Sequence, residues 1–274
     1  MQRRGTHNEI NAPNFETSFE IYYFDVGQAD SILIKQDSNT MLIDAGNNED
    51  GKKIVDYLKN NLKISHFDYL IGTHYHEDHI GGMDNIINNF DIDTFYAPYE
   101  SAFSTKSAKD VDKSAKAHNL KITNPTIGTS FKLGDANCEI VYVDNNEPEE
   151  KNNSSIVTKI TYGAQTYLFS GDAEYDVENK LDVGKINVYK AGHHGSKSSS
   201  TEEFIKRIDP DYAIISLGPN NDYNYPAPRV LNRLNNFCDE IYRTDTDGTI
   251  HLISNGNNIF FEKMQNICLD GNER

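Results

Sequence analysis

Thr73-His74-Tyr75-His76-Glu77-Asp78-His79-Ile80-Gly81-Gly82 decides how this chain is read. The stretch follows the apolar run Tyr69-Leu70-Ile71. It precedes a helix expected to start near Gly82, with Met83, Ile86, Ile87 and Phe90 on its apolar stripe. His74 and His76 are two residues apart, so in extended chain their side chains leave the same face. Asp78 and His79 fall where the chain turns into the helix and approach from a second angle. Imidazole and carboxylate donors together suit zinc, iron or manganese. A solvated His-rich loop is the bland alternative, but it gives no reason for four ligand-type residues within six positions at the end of a buried strand.

Two other strand ends carry matching donors. Leu168-Phe169-Ser170-Gly171-Asp172 is an apolar run that ends in Gly and a carboxylate. By itself Asp172 reads as a helix N-cap; beside the His cluster it reads as a group that bridges two cations. Ala191-Gly192-His193-His194-Gly195-Ser196 follows another strand, and its glycines let the backbone come close to a ligand. At least one of this pair is expected to be a metal ligand, His193 first, with His194 left to touch the substrate.

Outward from these segments the pattern alternates strands and helices. Strands are expected at 19–24, 31–35, 40–43, 69–71, 127–133, 138–143, 155–161, 165–170, 186–189, 212–215 and 240–243, and a hairpin closes the chain at 249–253 and 258–262. Helices are expected at 51–63, 104–119, 174–181, 201–208 and 227–236. Two sheets packed face to face with helices outside satisfy this order. Residues 1–18 read as a polar arm, and 19–274 as a single domain.

The formal charge of the 274 residues is −16, from 26 Lys+Arg against 42 Asp+Glu. Such a surface repels phosphate backbones at long range, which excludes non-specific coating of nucleic acid. A local site with its own cations still accepts a phosphate. No apolar run approaches the roughly 18–20 residues that span a bilayer. Arg3-Arg4 is followed by no apolar stretch, which argues against an intact secretory signal, although a mature secreted form reads the same way. Cys138, Cys238 and Cys268 are odd in number, widely spaced and without zinc-site spacing, which fits a reducing compartment and a cytoplasmic location.

Six motifs occur in order over about residues 19–254: Phe24-Asp25-Val26-Gly27-Gln28-Ala29-Asp30-Ser31, Leu42-Ile43-Asp44-Ala45-Gly46, the His cluster, Asn152-Asn153-Ser154-Ser155, Ser170-Gly171-Asp172-Ala173 and His193-His194-Gly195-Ser196. As a set they resemble the metallo-β-lactamase superfamily and, within it, the soluble hydrolase domain of ComEC-type DNA-uptake competence proteins. The resemblance implies an α/β (α+β) fold, a four-layer αββα sandwich with two divalent ions, Zn2+ or Mn2+, at one edge of the sheets. It implies His74, His76 and Asp172 on the first ion, and Asp78, His79, Asp172 and His193 on the second. Asp25, Gln28, Asp30 and Asp44 would line the floor of the site, where ordinary turn chemistry is the competing explanation. The chain departs from the pattern in three places. No His stands near Asn153-Ser154, Ala29 replaces a Gly, and Tyr225 in Tyr223-Asn224-Tyr225-Pro226 stands where the competence domains tend to have His.

The expected chemistry is hydrolysis by water whose pKa the ions lower to about 7. Asp78 would orient that water, and Tyr225 would donate to the leaving group. Lys197, with the backbone N–H groups of Gly195-Ser196-Lys197-Ser198-Ser199-Ser200 and a capping box at Ser200-Thr201-Glu202-Glu203, would hold a phosphate; an ordinary solvated loop and cap explain the same residues. The leading function is a phosphodiesterase or nuclease acting on single-stranded DNA or a small diester. A small-phosphoester hydrolase of phosphocholine or nucleotide type, and a non-catalytic metal- or partner-binding module, are the alternatives.

Overall fold

The computed structural model describes residues 18–271, so the arm expected over residues 1–18 lies, apart from Ser18, outside the described residues. The first half runs β1 (Phe19–Tyr23), β2 (Ile32–Gln36), β3 (Asn39–Ile43), α1 (Gly51–Asn60), β4 (His66–Ile71), α2 (Glu77–Ile80), α3 (Met83–Asn89), β5 (Asp91–Tyr96), α4 (Lys106–Ala117) and β6 (Ile122–Thr123). The second runs β7 (Ser130–Leu133), β8 (Ala136–Tyr142), β9 (Val157–Tyr162), β10 (Gln165–Phe169), α5 (Tyr175–Glu178), β11 (Val188–Lys190), α6 (Glu202–Ile208), β12 (Tyr212–Ile215), α7 (Pro228–Phe237), β13 (Glu240–Arg243), α8 (Thr244–Asp247), β14 (Thr249–Ser254) and β15 (Ile259–Met264).

The strands form an eight-stranded sheet, β15-β14-β1-β2-β3-β4-β5-β6, and a seven-stranded sheet, β13-β12-β11-β10-β9-β8-β7. Alternation along each strand divides the apolar side chains between three cores, because successive residues face opposite sides of a sheet. Phe19, Ile21 and Tyr23 of β1, Met41 and Ile43 of β3, Tyr167 and Phe169 of β10 and Ile214 of β12 fill the space between the sheets. Tyr22 and Leu42 turn the other way and meet Ile54, Val55 and Leu58 of α1, Ile86 and Ile87 of α3 and Val111 of α4. Leu168, Tyr189, Ala213 and Ile215 likewise meet Phe204 and Ile205 of α6 and Val230 and Leu234 of α7. Three cores between four layers make the αββα sandwich that the motifs imply. No helix among the described residues is long and apolar enough to cross a membrane.

One polar exception in the first sheet yields a stability prediction. Glu20 of β1 accepts from Lys35 Nζ (3.2 Å), from Tyr22 Oη (3.0 Å) and from His251 Nε2 on β14 (2.9 Å). Burial raises its pKa, but these partners outweigh burial and bring the carboxyl down to about 2. A depressed acid stabilises the fold above its unfolded pKa and loses that contribution as pH falls through the folded value. Glu20→Gln is therefore expected to cost about 1–2 kcal/mol at pH 7, less than the full shift because Glu20 is only partly buried. The cost should shrink towards zero between pH 4.5 and 2, values set by that shift. Urea melts across this range check it; a cost that does not vary with pH would contradict the linkage.

Candidate metal centre

Strands β3, β4 and β5 run parallel in one sheet and β10, β11, β12 and β13 in the other, so their carboxyl ends gather at one rim. The carboxyl ends of parallel strands are where such sheets place their sites. β4 delivers Thr73 to His79, β10 delivers Asp172, and β11 delivers His193 and His194. Gly171, just before Asp172, has φ +51°, and a Cβ there would lie 3.0 Å from Thr73 Cβ; the residue type lets these two strand ends close on each other.

His76 is extended (φ −77°, ψ 152°), and His74 Nε2 lies 3.0 Å from His76 Nδ1, so the two rings converge as their spacing predicts. His79 is turned in by α2. Its Nδ1 donates to Asp44 Oδ2 at 2.7 Å, which leaves Nε2 facing Asp172 Oδ1 at 3.2 Å and Asp78 Oδ2 at 3.8 Å. Asp44 is itself fixed by the N–H and hydroxyl of Thr73, both at 2.8 Å.

The pair after β11 divides unexpectedly. Both residues are in the left-handed region (φ +49° for His193, +53° for His194), which sends the rings in different directions. His194 is buried; its Nδ1 donates to the carbonyl of Ser216 at 2.9 Å, and its Nε2 lies 3.3 Å from Asp78 Oδ2 and 3.6 Å from Asp172 Oδ1. His193 is half-buried, with Nε2 3.7 Å from the other oxygen, Asp172 Oδ2, and Nδ1 3.2 Å from Glu174 Oε1. Among the groups whose ligand atoms all lie within 4.8 Å of one another, one is Asp78, His79, Asp172 and His194; His193 stands outside it, against the other Asp172 oxygen.

These donors fit a cation. His79 Nε2, Asp172 Oδ1 and His194 Nε2 are buried, and although His79 Nε2 and Asp172 Oδ1 lie 3.2 Å apart none of the three makes a well-aligned hydrogen bond in the protein. Orphaned buried polar atoms are costly and rare, and one divalent ion among them satisfies all three. Without an ion the cluster is held together by charge. Burial opposes ionisation of Asp172, but His79 and His194 keep its carboxyl well below the usual range. Burial likewise lowers His79, yet Asp172, Asp44 and Asp78 raise it well above an ordinary histidine. His74, buried and beside His79, is pushed well below, as a neutral ligand needs.

The four residues expected on the floor separate. Asp30 and Asp44 sit behind the imidazoles. Gln28 accepts from the Gly218 N–H at 3.2 Å and lines a cavity of about 360 Å³ that Asp78 also lines. Asp25 accepts from the Gly27 N–H at 3.4 Å, which is turn chemistry. The expected phosphate cradle needs correction. The N–H groups of Ser196, Ser198 and Ser199 are used within the loop, and those of Ser200 and Thr201 donate to the Glu178 carboxylate. The helix cap is Thr201 rather than Ser200. Lys197 is exposed, with its carbonyl taken by Arg229. Tyr225 Oη donates to Ser196 Oγ at 3.0 Å, and its ring stands edge-on to His193.

Sequence reasoning missed Lys190, the last residue of β11. It is buried, and its Nζ pairs with Asp30 Oδ2 at 2.5 Å. Asp30 Oδ1 in turn lies 3.6 Å from His194 Nδ1, and Asp30 Oδ2 3.9 Å from His79 Nδ1. A lysine inside the apolar run Val188-Tyr189-Lys190-Ala191 was the available signal, since a buried ammonium demands an anionic partner. Ser155 was also missed: its Oγ accepts from the Asp172 N–H at 3.1 Å and lies 3.4 Å from His74 Nδ1.

The chain is 30% identical over 259 residues to ComE operon protein 3 of Bacillus subtilis, covering 87% of this chain and 33% of that protein. It is 27% identical to Recombination protein 2 of Haemophilus influenzae, covering 86% and 29%. It thus spans about a third of the length of these curated relatives. Among solved structures, the metallo-beta-lactamase fold protein YhfI of Bacillus subtilis superposes with a TM-score of 0.56 at 10% identity, covering 90% of this chain and all of that one. CmlA, a diiron beta-hydroxylase of Streptomyces venezuelae, gives 0.53 at 12%, covering 84% and 53%. The family model described as the metallo-beta-lactamase superfamily matches residues 24–218. With its sandwich and its rim of residues that could hold a metal, the chain belongs to the metallo-beta-lactamase superfamily and carries that family's metal-dependent hydrolase fold.

Proposed function

We propose that this chain hydrolyses phosphodiesters with two divalent ions, Zn2+ or Mn2+, held on either side of Asp172. The observation that carries the reading is the orientation of that carboxylate. One oxygen faces His79 and His194, and the other faces His193. Asp78, His79, His194 and Asp172 Oδ1 would hold one ion. His74, His76 and Asp172 Oδ2 would hold the other, with His193 at its edge where the sequence lacks the additional His. Bound there, such ions supply Lewis acidity and lower the pKa of water to about 7.

The protein's own groups do the positioning. Asp44 and the Ser216 carbonyl fix the tautomers of His79 and His194, so each presents Nε2. Asp78 is less buried than His79, His194 and Asp172 and would orient an attacking water. Tyr225, held against Ser196 beside His193, would turn its hydroxyl from Ser196 to donate to a departing oxygen. One relative is named Recombination protein 2, which supports reading the substrate as a DNA phosphodiester. The −16 charge favours a second reading, in which the diester is small.

The test is hydrolysis of single-stranded DNA, bis-p-nitrophenyl phosphate and nitrocefin by protein loaded with Mn2+ or Zn2+. His76→Ala should reduce turnover of both phosphodiesters by at least about a hundredfold, the smaller end of what a lost Lewis acid costs. Turnover unchanged in His76→Ala would sink the mechanism. Cleavage of the small diester alone would select the second reading, and metal uptake without turnover would make the chain a binding module.

A further inference from the structure

The loop between β12 and α7 places an aromatic surface beside the metal cluster that the chemistry above does not use. Tyr223 is 65% exposed, although it is a large aromatic residue. Its ring stacks on Tyr225, with centroids 5.4 Å apart and planes at 21°. Tyr225 is held on several sides. Its hydroxyl donates to Ser196, its N–H donates to Asn221 Oδ1 at 2.9 Å, and its carbonyl accepts from Asn221 Nδ2 at 2.9 Å. Asn221 Nδ2 also donates to the Gly218 carbonyl at 3.1 Å, which ties the loop to its own start. Tyr223 therefore offers open ring surface on a support that is already ordered.

Tyr223 also walls the 360 Å³ cavity that contains Asp78, together with Gln28, Asn47 and three further carboxylates, Glu49, Glu77 and Asp270. That volume lies within the range of small-ligand sites. Because Asp78 is among the proposed ion ligands, the cavity opens onto the position of the reacting phosphate. Its carboxylates disfavour a further phosphate there. Carboxylates do accept from the amino groups on base edges, and amides can both donate and accept. The occupant these walls suit is a flat, uncharged, amino-bearing ring that lies against a tyrosine.

We propose that Tyr223 is a stacking platform for the nucleobase next to the scissile phosphodiester. This rests on the phosphodiesterase reading. Base–aromatic stacking is worth about 1–3 kcal/mol per base, which is roughly a 5- to 150-fold preference. The test compares a short deoxyoligonucleotide with the same backbone made abasic, using Mn2+-loaded wild type, Tyr223→Ala and Tyr223→Phe. The wild type and Tyr223→Phe should cleave the base-bearing strand with kcat/KM higher by that factor, and Tyr223→Ala should lose the preference through the base-bearing strand alone. Fluorescence anisotropy on His76→Ala, with and without Tyr223→Ala, should show the same ordering in binding. Equal use of both strands by wild type, or an equal loss on both in Tyr223→Ala, overturns the platform. Cleavage of bis-p-nitrophenyl phosphate but of neither strand overturns the platform and leaves the hydrolase reading standing. No cleavage of any of the three overturns both.

Discussion

Asp172→Asn is expected to leave a protein that retains neither ion firmly and to lower kcat on a phosphodiester by about 10³- to 10⁴-fold, the several kcal/mol that metal charge stabilisation supplies. The reason is the position of the residue. Its two oxygens face different imidazoles, with His79 and His194 on one side and His193 on the other. An amide keeps the volume but loses the charge, so neither ion has its shared anion. Elemental analysis after reconstitution checks the first part, and steady-state kinetics checks the second. Full occupancy by two ions in Asp172→Asn would mean that Asp172 is not the bridge. The metal-free variant should also be less stable than metal-free wild type, because His79 and His194 lose the anion that holds them raised.

The second large effect lies beneath the site. Lys190→Met should destabilise the metal-free protein by about 3–5 kcal/mol, since breaking a buried pair strands an uncompensated charge. The stranded charge is Asp30, which is almost completely buried. Pairing the change with Asp30→Asn should recover most of the loss, because a neutral amide beside Met carries no buried charge. Urea denaturation of the two single variants and the double variant gives the coupling directly. Additive losses would show that Lys190 and Asp30 do not act as a pair. Lys190→Met should also weaken metal binding by about 10- to 100-fold, the usual cost of disturbing groups behind the ligands. Asp30 reaches both His79 and His194 from behind.

Much of this was legible in the sequence because apolar periodicity and chemistry coincide. Tyr69-Leu70-Ile71 read as a strand and is one, and the cluster after it lies at the strand's carboxyl end. Ile54, Val55 and Leu58 formed a helical stripe and are buried; Leu62 packs on the same core from beyond the end of α1. β5 carries no strand signature in the sequence. Asp91 and Asp93 are poor strand formers, and along β5 only Phe95 is fully buried. The helix expected over 174–181 is a single turn, Tyr175–Glu178. The directions of the His193 and His194 rings are hidden for a different reason. Two consecutive left-handed residues break the alternation from which side-chain direction is inferred, and nothing in Gly-His-His-Gly signals them. Lys190 is hidden because a strand pattern records hydrophobicity, and one lysine in it looks like an edge residue until its partner 160 positions away is seen.

The central claim is that two ions share Asp172. Anomalous diffraction from crystals grown with Mn2+ tests it most directly. The prediction is two peaks about 3.5–4 Å apart, one beside Asp78, His79 and His194, the other beside His74 and His76, with the Asp172 carboxylate between them. A single peak, or two that do not both contact Asp172, would contradict it.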